Sequence, residues 1–177
     1  MSDLRVHKTK YINETKRVSF KYDGKNYFGY EGDTLASALL ANGVHLIGRS
    51  FKYHRPRGIM SCGSEEPNAI CQISDKNDLT EPNVRATELE IYDGLEAFSQ
   101  NCWPNVKFDI GGINNLISPL IPAGFYYKTF MWPKSFWKKV YEPLIRMSAG
   151  LGKSPTKPDP DIYDHKYVHY DVLVIGG

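Results

Sequence analysis

The sequence predicts an α+β fold, with one small domain of strands and a helix followed by an irregular, aromatic-rich part. Three observations support this class. Apolar and polar residues alternate on both sides of an Asp-Gly pair, helical spacing of apolar residues follows, and aromatic residues among prolines and glycines fill the second half. A length of 177 residues suits one ordinary domain with an appendage.

The first regular element is a β-hairpin. Residues 1–15 are polar and unpatterned, and we expect a flexible arm that becomes ordered only against a partner. Asp23-Gly24 is a pair favoured in two-residue hairpin turns. Alternating apolar residues precede the turn and tyrosines follow it: Val18, Phe20, Tyr22, Tyr27 and Tyr30.

A helix follows the hairpin. Asp33 is the expected cap of its free amides, and Asn42-Gly43 is the expected end. Its apolar residues recur at helical spacing: Leu35, Ala38, Leu39 and Ala41. Strands over residues 44–47, 69–73 and 87–92 would complete a β-grasp order of hairpin, helix and strands, which places this domain at residues 16–93.

Residues 94–149 are typical of a wrapping connector, because aromatic residues alternate there with prolines and glycines. One helix is expected over residues 133–148, with Pro133 in the tolerated first turn and Pro143 kinking or dividing it. Its apolar set is Phe136, Trp137, Val140, Leu144, Ile145 and Met147.

A linker and a final strand end the sequence. Residues 150–168 have linker composition, with three prolines among charges. The run DVLVIGG within residues 169–177 resembles the first strand of a Rossmann dinucleotide-binding domain, in which Gly176 and Gly177 would let the backbone approach a pyrophosphate. The full GxGxxG is absent, so an ordinary strand and turn is the alternative.

Composition narrows the class of protein. A hydrophobic content of 41% and a net charge of +2 indicate a packed chain. No apolar run is long enough to span a bilayer and no signal core follows the first charges, so we expect a cytoplasmic protein without membrane contact. Basic and acidic residues are interspersed, and we expect no nucleic-acid partner.

The three cysteines are the candidate ligands of a metal centre. Cys62, Cys71 and Cys102 form an odd set, which argues against a disulfide framework. A two-iron ferredoxin cluster needs the spacing C-x4-C-x2-C. Counting from Cys62, the next two positions are Pro67 and Ile70; counting back from Cys71, they are Gly63 and Asn68. These spacings, and histidines without zinc-type pairing, predict no metal site.

Residues 49–57 concentrate positive charge and carry aromatic side chains beside it. Such a segment is most often a solvated loop or an ion-pair partner for another subunit. Contact with phosphate or a single-stranded nucleic acid is the alternative. No residue of the chain is predicted to be catalytic, since no strained G-x-S-x-G turn marks a nucleophile.

Several runs together resemble one family, the alpha subunits of heterotetrameric sarcosine oxidase. The resemblance extends from about Val18 to the end, with DVLVIGG where such subunits begin their nucleotide-binding domain. The other runs are GDTLASALLANGV, GRSFKYHRPRGI, GSEEPNA, EPNVRAT, YDGLEA, SQNCWP and PAGFYYKTFMWP.

The resemblance implies the amino-terminal portion of such a subunit: a ferredoxin-like β-grasp module that lacks its 2Fe-2S cluster, before a Rossmann domain. It implies NAD for the full alpha subunit, with Gly176 and Gly177 at the pyrophosphate turn, and FAD and FMN in the complex. The implied partners are the beta, gamma and delta subunits. The implied reaction converts sarcosine to glycine, with one-carbon transfer to tetrahydrofolate and formation of hydrogen peroxide.

Two functional hypotheses follow. In the first, the chain is part of an amine oxidoreductase, and its residues serve assembly and are inactive alone. In the second, the chain is a stand-alone ferredoxin-like electron carrier or binding module, which requires an iron cluster. Iron content and visible absorption distinguish them.

Overall fold

The computed structural model describes residues 4–5, 9–74, 79–116, 118–120 and 132–175. Within these ranges the elements are β1 Asn13–Tyr22, β2 Lys25–Glu31, α1 Leu35–Ala41, β3 Gly48–Arg49, β4 Pro56–Arg57, β5 Ile70–Ser74, β6 Thr80–Arg85, β7 Glu96–Ser99, α2 Ile113–Leu116 and α3 Glu142–Ser148. Short 3-10 turns occupy Ile110–Gly112 and Ser118–Leu120, and a π-helical turn occupies Trp137–Tyr141.

Five strands form one mixed sheet in the order β2-β1-β7-β5-β6, and β3 pairs with β4 separately. The central β7 runs parallel to β1 and antiparallel to β5. The core joins apolar side chains of these strands to α1, including Phe20, Leu35, Leu39, Ile47 and Leu95. A hairpin, a helix and a parallel central strand are the β-grasp arrangement that the sequence predicts.

The predicted hairpin is confirmed. β1 and β2 pair antiparallel up to Tyr22 and Lys25. Asp23 and Gly24 have φ of 47° and 73°, the left-handed values that a primed two-residue turn requires. Val18, Phe20 and Tyr22 are buried and their neighbours in β1 are exposed, so the alternation sets which face covers the core.

The helix is present, but its predicted cap is wrong by one residue. Thr34 is the N-cap, and its side chain accepts the backbone N–H of Ser37. Asp33 is instead fully buried, where it accepts the Tyr30 N–H at 2.9 Å and the Ser37 hydroxyl at 2.7 Å. The Asp33 carboxylate therefore bonds both to the end of β2 and to the first turn of α1.

The strand predicted over residues 44–47 is absent, because Val44 completes the end of α1. Its N–H bonds to the Leu39 carbonyl while the Gly43 N–H bonds to Leu40, and Gly43 has φ of 74°. This is a Schellman motif. The neighbouring pairing begins at Gly48, where β3 meets β4.

The strand predicted over residues 87–92 is also wrong. The carbonyls of Ala86 and Leu89 accept the first free N–H groups of α1, from Ala36 and Leu35, at 2.8 Å each. The final sheet strand is β7, beyond the predicted domain end at residue 93. The sheet therefore extends to Ser99, and a segment that looked like a strand caps the helix.

The arm packs on its own domain in part, which differs from the expected order against a partner. The Leu4 N–H donates to the Ala41 carbonyl at 3.0 Å. The Arg5 guanidinium bonds to both oxygens of Asp33, at 2.9 Å through Nη1 and closely through Nη2. β1 begins at Asn13, inside the range predicted as an arm.

The helix predicted over residues 133–148 begins later, at residue 136, and runs without a break to residue 148. It is not divided at Pro143: its hydrogen bonding changes from the π-helical pattern of Trp137–Tyr141 to the α-helical pattern of Glu142–Ser148. Its predicted apolar set includes the exposed Phe136, Trp137, Val140 and Leu144. The division of residues 94–177 into connector, linker and strand stays a prediction.

Residues 150–175 are all described and contain no strand. Residues 150–153 bond to side chains of the sheet, for example through the Lys153 N–H to Gln72 Oε1 at 2.9 Å. Val172, Leu173, Val174 and Ile175 are exposed. The Rossmann strand stays a prediction. No helix in the described ranges is long and apolar enough to cross a membrane.

Candidate functional site

The loop of residues 58–69, which joins β4 to β5, surrounds one buried acid. Glu66 is 1% exposed. One carboxylate oxygen accepts two backbone N–H groups from the start of the loop and the other accepts two from its end. The four donors are Met60 at 2.7 Å, Ser61 at 2.6 Å, Asn68 at 2.7 Å and Ala69 at 3.1 Å. We call residues 58–69 the Glu66 loop.

The Glu66 carboxylate is ionised in this site. Burial by itself raises the pKa of the carboxyl, but the backbone N–H donors outweigh it and lower the pKa below its usual value. Hydrogen bonds to a charged acceptor are stronger than neutral ones. The loop is therefore closed from both ends by one internal anion.

The cysteines lie in three different environments. Cys71 is fully buried in β5, and burial, followed by the nearby charge of Asp23, raises the pKa of its thiol to about 12. Burial also raises the pKa of Cys102, whose Sγ lies 3.3 Å from the Ser99 hydroxyl. Cys62 is exposed in the Glu66 loop.

These residues do not fit an iron–sulfur cluster. A cluster of this kind needs four thiolates, whereas the sequence contains three cysteines, and these lie in different environments. Among the residues that the structure describes, no group of three or more histidine, cysteine, aspartate or glutamate side chains could hold a metal ion. The donor set therefore provides no place for two iron atoms.

The basic segment of residues 49–57 packs against residues 101–115 of the same chain. Arg49 donates from Nε to the Val106 carbonyl at 2.7 Å and from Nη2 to the Lys107 carbonyl at 3.1 Å. Arg55 Nε donates to Asn115 Oδ1 at 2.9 Å. This differs from the expectation of a solvated loop, since part of the charge is used to join two segments.

His54 and Asp109 form a pair across the same contact. His54 Nδ1 lies 2.7 Å from Asp109 Oδ2, and Asp109 also accepts the Trp103 and Gly111 N–H groups at 3.0 and 3.1 Å. His54 lies at φ 54° and packs closely on Gly111, where no side chain would fit. The acid therefore organises the turn at residues 103–111 and fixes the imidazole against it.

The predicted nucleotide site is not brought together by the described residues. Gly176 and Gly177 lie outside them, as does most of the run PAGFYYKTFMWP at residues 122–133. What the structure does present in this half is exposed apolar surface along residues 103–116: Trp103, Phe108, Ile110, Ile113 and Leu116.

Protein families place the domain in a class. A family model described as "2Fe-2S iron-sulfur cluster binding domain" matches residues 15–102. With the mixed five-stranded sheet and α1, this defines a ferredoxin-like β-grasp module. The L-proline dehydrogenase from P. horikoshii aligns with 53% of this chain and 17% of its own at 23% identity, with a TM-score of 0.39.

Longer proteins of similar sequence identify the family within this class. A "Sarcosine oxidase subunit alpha" from Rhizobium meliloti is 56% identical over 99% of this chain. Two proteins of the same name from Corynebacterium sp. are 30% and 32% identical over 93% of this chain. The chain belongs to the family of sarcosine oxidase alpha subunits. It spans 18% of the length of the Rhizobium relative and 12% of each Corynebacterium relative.

Sequence reasoning missed the residues that organise these loops. Glu66 lies in the run GSEEPNA, where the sequence pattern gives it no separate role, and no pattern indicates Asp109. The available signal for Glu66 was an acid followed by Pro67 between two cysteines, which marks a turn but not a buried anion. Burial of a carboxylate depends on donors from both ends of a loop and is visible only after folding.

Proposed function

We propose that this chain is the amino-terminal module of a sarcosine oxidase alpha subunit and that its residues serve assembly rather than chemistry. The observation that carries the proposal is the 56% identity over nearly the whole chain to an alpha subunit. The absence of a fitting thiolate set among the described residues supports it, because a carrier of electrons would need a redox centre.

The proposed complex is a cytoplasmic amine oxidoreductase with oxygen as acceptor. Its beta, gamma and delta subunits are the partners of the alpha subunit. In this complex sarcosine would be converted to glycine, two electrons would pass to oxygen to form hydrogen peroxide, and tetrahydrofolate would accept the one-carbon unit; FAD and FMN would supply the redox chemistry. NAD binding belongs to the Rossmann domain, with Gly176 and Gly177 at its pyrophosphate turn.

The exposed apolar side chains of residues 103–116 suit the assembly role. Trp103 and Phe108 are each 68% exposed on a segment that Arg49 and Asp109 hold in place. Aromatic side chains on a fixed backbone are typical anchors of protein interfaces, because little conformational freedom is lost when they are covered. We infer that the remainder of the complex covers them.

The test is purification of the complex through an affinity tag on this chain, with sarcosine-dependent peroxide formation as the assay. We expect turnover only with the partner subunits present. Trp103→Ala with Phe108→Ala should lower partner recovery about tenfold or more, since anchors of this kind contribute over ~1 kcal/mol each. Tyr11→Ala, an exposed aromatic on another segment, is the control. Turnover by the chain alone would contradict the proposal.

The competing function is the electron carrier, which the 2Fe-2S family match favours. Anaerobic purification followed by iron analysis and a visible spectrum separates the two. We expect a colourless protein without iron. Two iron atoms per chain with cluster absorption would favour the carrier and overturn the assembly role.

A further inference from the structure

We propose that the Glu66 carboxylate replaces an iron–sulfur cluster as the anion around which the Glu66 loop folds, so that the β-grasp module reaches its structure without iron. The inference concerns the folding of this loop. It does not depend on the partners or the reaction of the complex.

Position is the first argument. The family match at residues 15–102 includes the loop, and a C-x4-C-x2-C set aligned on Cys62 or Cys71 would occupy residues 62–70 or 63–71. Glu66 lies inside both spans. In either register only one of the three motif positions holds a cysteine, while a buried negative charge is present in the same stretch of chain.

The chemistry of the loop is the second argument. Successive backbone N–H groups that converge on one point form a concave site for an anion, and such nests hold both phosphates and iron–sulfur clusters. Here the two pairs of N–H groups converge on Glu66 from the two ends of the loop. One side chain of the chain itself supplies what a bound cluster would supply, a negative acceptor for several backbone donors.

Hydrogen bonds between protein groups also hold the Glu66 loop to its surroundings. The Thr87 hydroxyl donates to the Gly63 carbonyl at 2.8 Å, which fixes the exposed tip of the loop to the segment that caps α1. The Ala69 carbonyl accepts the Ala86 N–H at 2.8 Å, and β5 begins one residue later. Cys62 is left exposed and Cys71 is a core residue, so neither thiol is needed to close the loop.

The first experiment compares Glu66→Gln with Glu81→Gln in the full chain. An amide keeps one acceptor oxygen, but its NH2 group would face two backbone donors, whichever way it is turned. We expect Glu66→Gln to lower the folded-to-unfolded ratio about 10- to 100-fold, as loss of a charged acceptor from a buried site does. Glu81, which is exposed on β6, is the control, because the Glu65 carboxylate itself bonds to backbone groups of the Glu66 loop. Equal losses in the two variants would overturn the proposal.

A second measurement holds even if Glu66→Gln does not fold. The carbon-13 shift of the Glu66 carboxyl in the wild-type chain should titrate below the ordinary value of about 4.3, and protection of the Met60, Ser61, Asn68 and Ala69 amides from hydrogen exchange should accompany the ionised form. Titration at or above the ordinary value, or unprotected amides, would contradict an anion-centred loop.

Iron provides the last arm of the test. Anaerobic incubation of the wild-type chain, its thiols reduced, with ferric iron and sulfide should give no cluster absorption and no change in its thermal midpoint. Formation of a stable two-iron chromophore would overturn the proposal. Failure of the chain to recover partner subunits would count against the assembly function alone, so the two inferences fail separately.

Discussion

The Cys71 thiol and the Tyr22 hydroxyl are buried and keep their protons in the folded chain. Burial raises the pKa of the Cys71 thiol to about 12 and also raises the pKa of the Tyr22 hydroxyl, which donates to the Ile47 carbonyl at 2.8 Å. In the unfolded chain both groups ionise nearer their ordinary values. Between the pKa of each group in the unfolded chain and its higher pKa in the folded chain, the unfolded state binds fewer protons. The free energy of unfolding therefore falls as pH rises.

Alkaline unfolding tests this coupling at the level of one residue. The contribution of Cys71 is fully present below its ordinary value of 9.0 and is lost as pH rises toward about 12. That proton lowers the free energy of unfolding by about 1.4 kcal/mol per pH unit. Urea unfolding followed by circular dichroism from pH 8 to 11 should give a shallower slope for Cys71→Ala than for wild type. Cys62→Ala, at an exposed thiol, should keep the wild-type slope.

At the scale of elements, two glycines with positive φ end β-strands in different surroundings. Gly24 lies in the β1–β2 turn at φ 73° with open space where a Cβ would point. Gly32 follows β2 at φ 89°, and a Cβ there would collide with the backbone carbonyl of Tyr11. The first position needs glycine for its conformation alone, whereas the second needs it for conformation and for space.

Alanine substitution distinguishes the requirement for a left-handed backbone from the requirement for space. Gly24→Ala should cost about 1 kcal/mol, the strain of a left-handed backbone. Gly32→Ala should cost about 2 to 4 kcal/mol, because overpacking adds to that strain and the clashing atom belongs to the backbone. Thermal and urea unfolding of both variants measure the difference. Equal losses would show that the segment before β1 can move away from Gly32 at little cost.

At the scale of the whole molecule, side chains join the β-grasp domain to residues 101–116. Arg49 bonds to carbonyls of Val106, Lys107 and His54, at 2.7, 3.1 and 3.2 Å. The Asn101 side-chain amide donates to the Ser50 carbonyl at 2.9 Å, and the Asn114 amide to the Lys52 carbonyl at 3.1 Å. The basic loop and the aromatic segment thus form one unit with the sheet.

Replacement of Arg49 tests this connection. Arg49→Ala should destabilise the chain by about 2 kcal/mol and expose residues 103–116 to proteases, since several carbonyls lose their donor at once. Arg49→Lys should recover only part of the loss, because an ammonium cannot reproduce the planar fork. Arg57→Ala, on the exposed β4, should change stability by less than ~0.5 kcal/mol. Unaltered proteolysis in Arg49→Ala would contradict the joining role.

Local patterns predicted the elements that are specified by neighbouring residues. Asp23-Gly24 with alternation on either side gave the correct hairpin, and the apolar spacing of Leu35 to Ala41 gave the correct helix. Apolar spacing also predicted the later helix, which runs over residues 136–148. The incorrect strands over residues 44–47 and 87–92 share one cause: their backbone groups satisfy the two ends of α1, and β-type composition does not reveal that role.

Residue types at short separation were enough to predict the hairpin, the helix, the absence of a cluster-type cysteine spacing and the resemblance to an alpha-subunit family. The folded chain was needed to show which strand occupies the centre of the sheet, that residues 49–57 make an internal contact, and that Glu66 is a buried anion. Those features depend on groups brought together from distant parts of the chain: β7 beside β1, Arg49 beside Val106, and the two ends of one loop around a carboxylate. Such contacts form only when the chain has folded, since their pairing leaves no periodicity in the sequence.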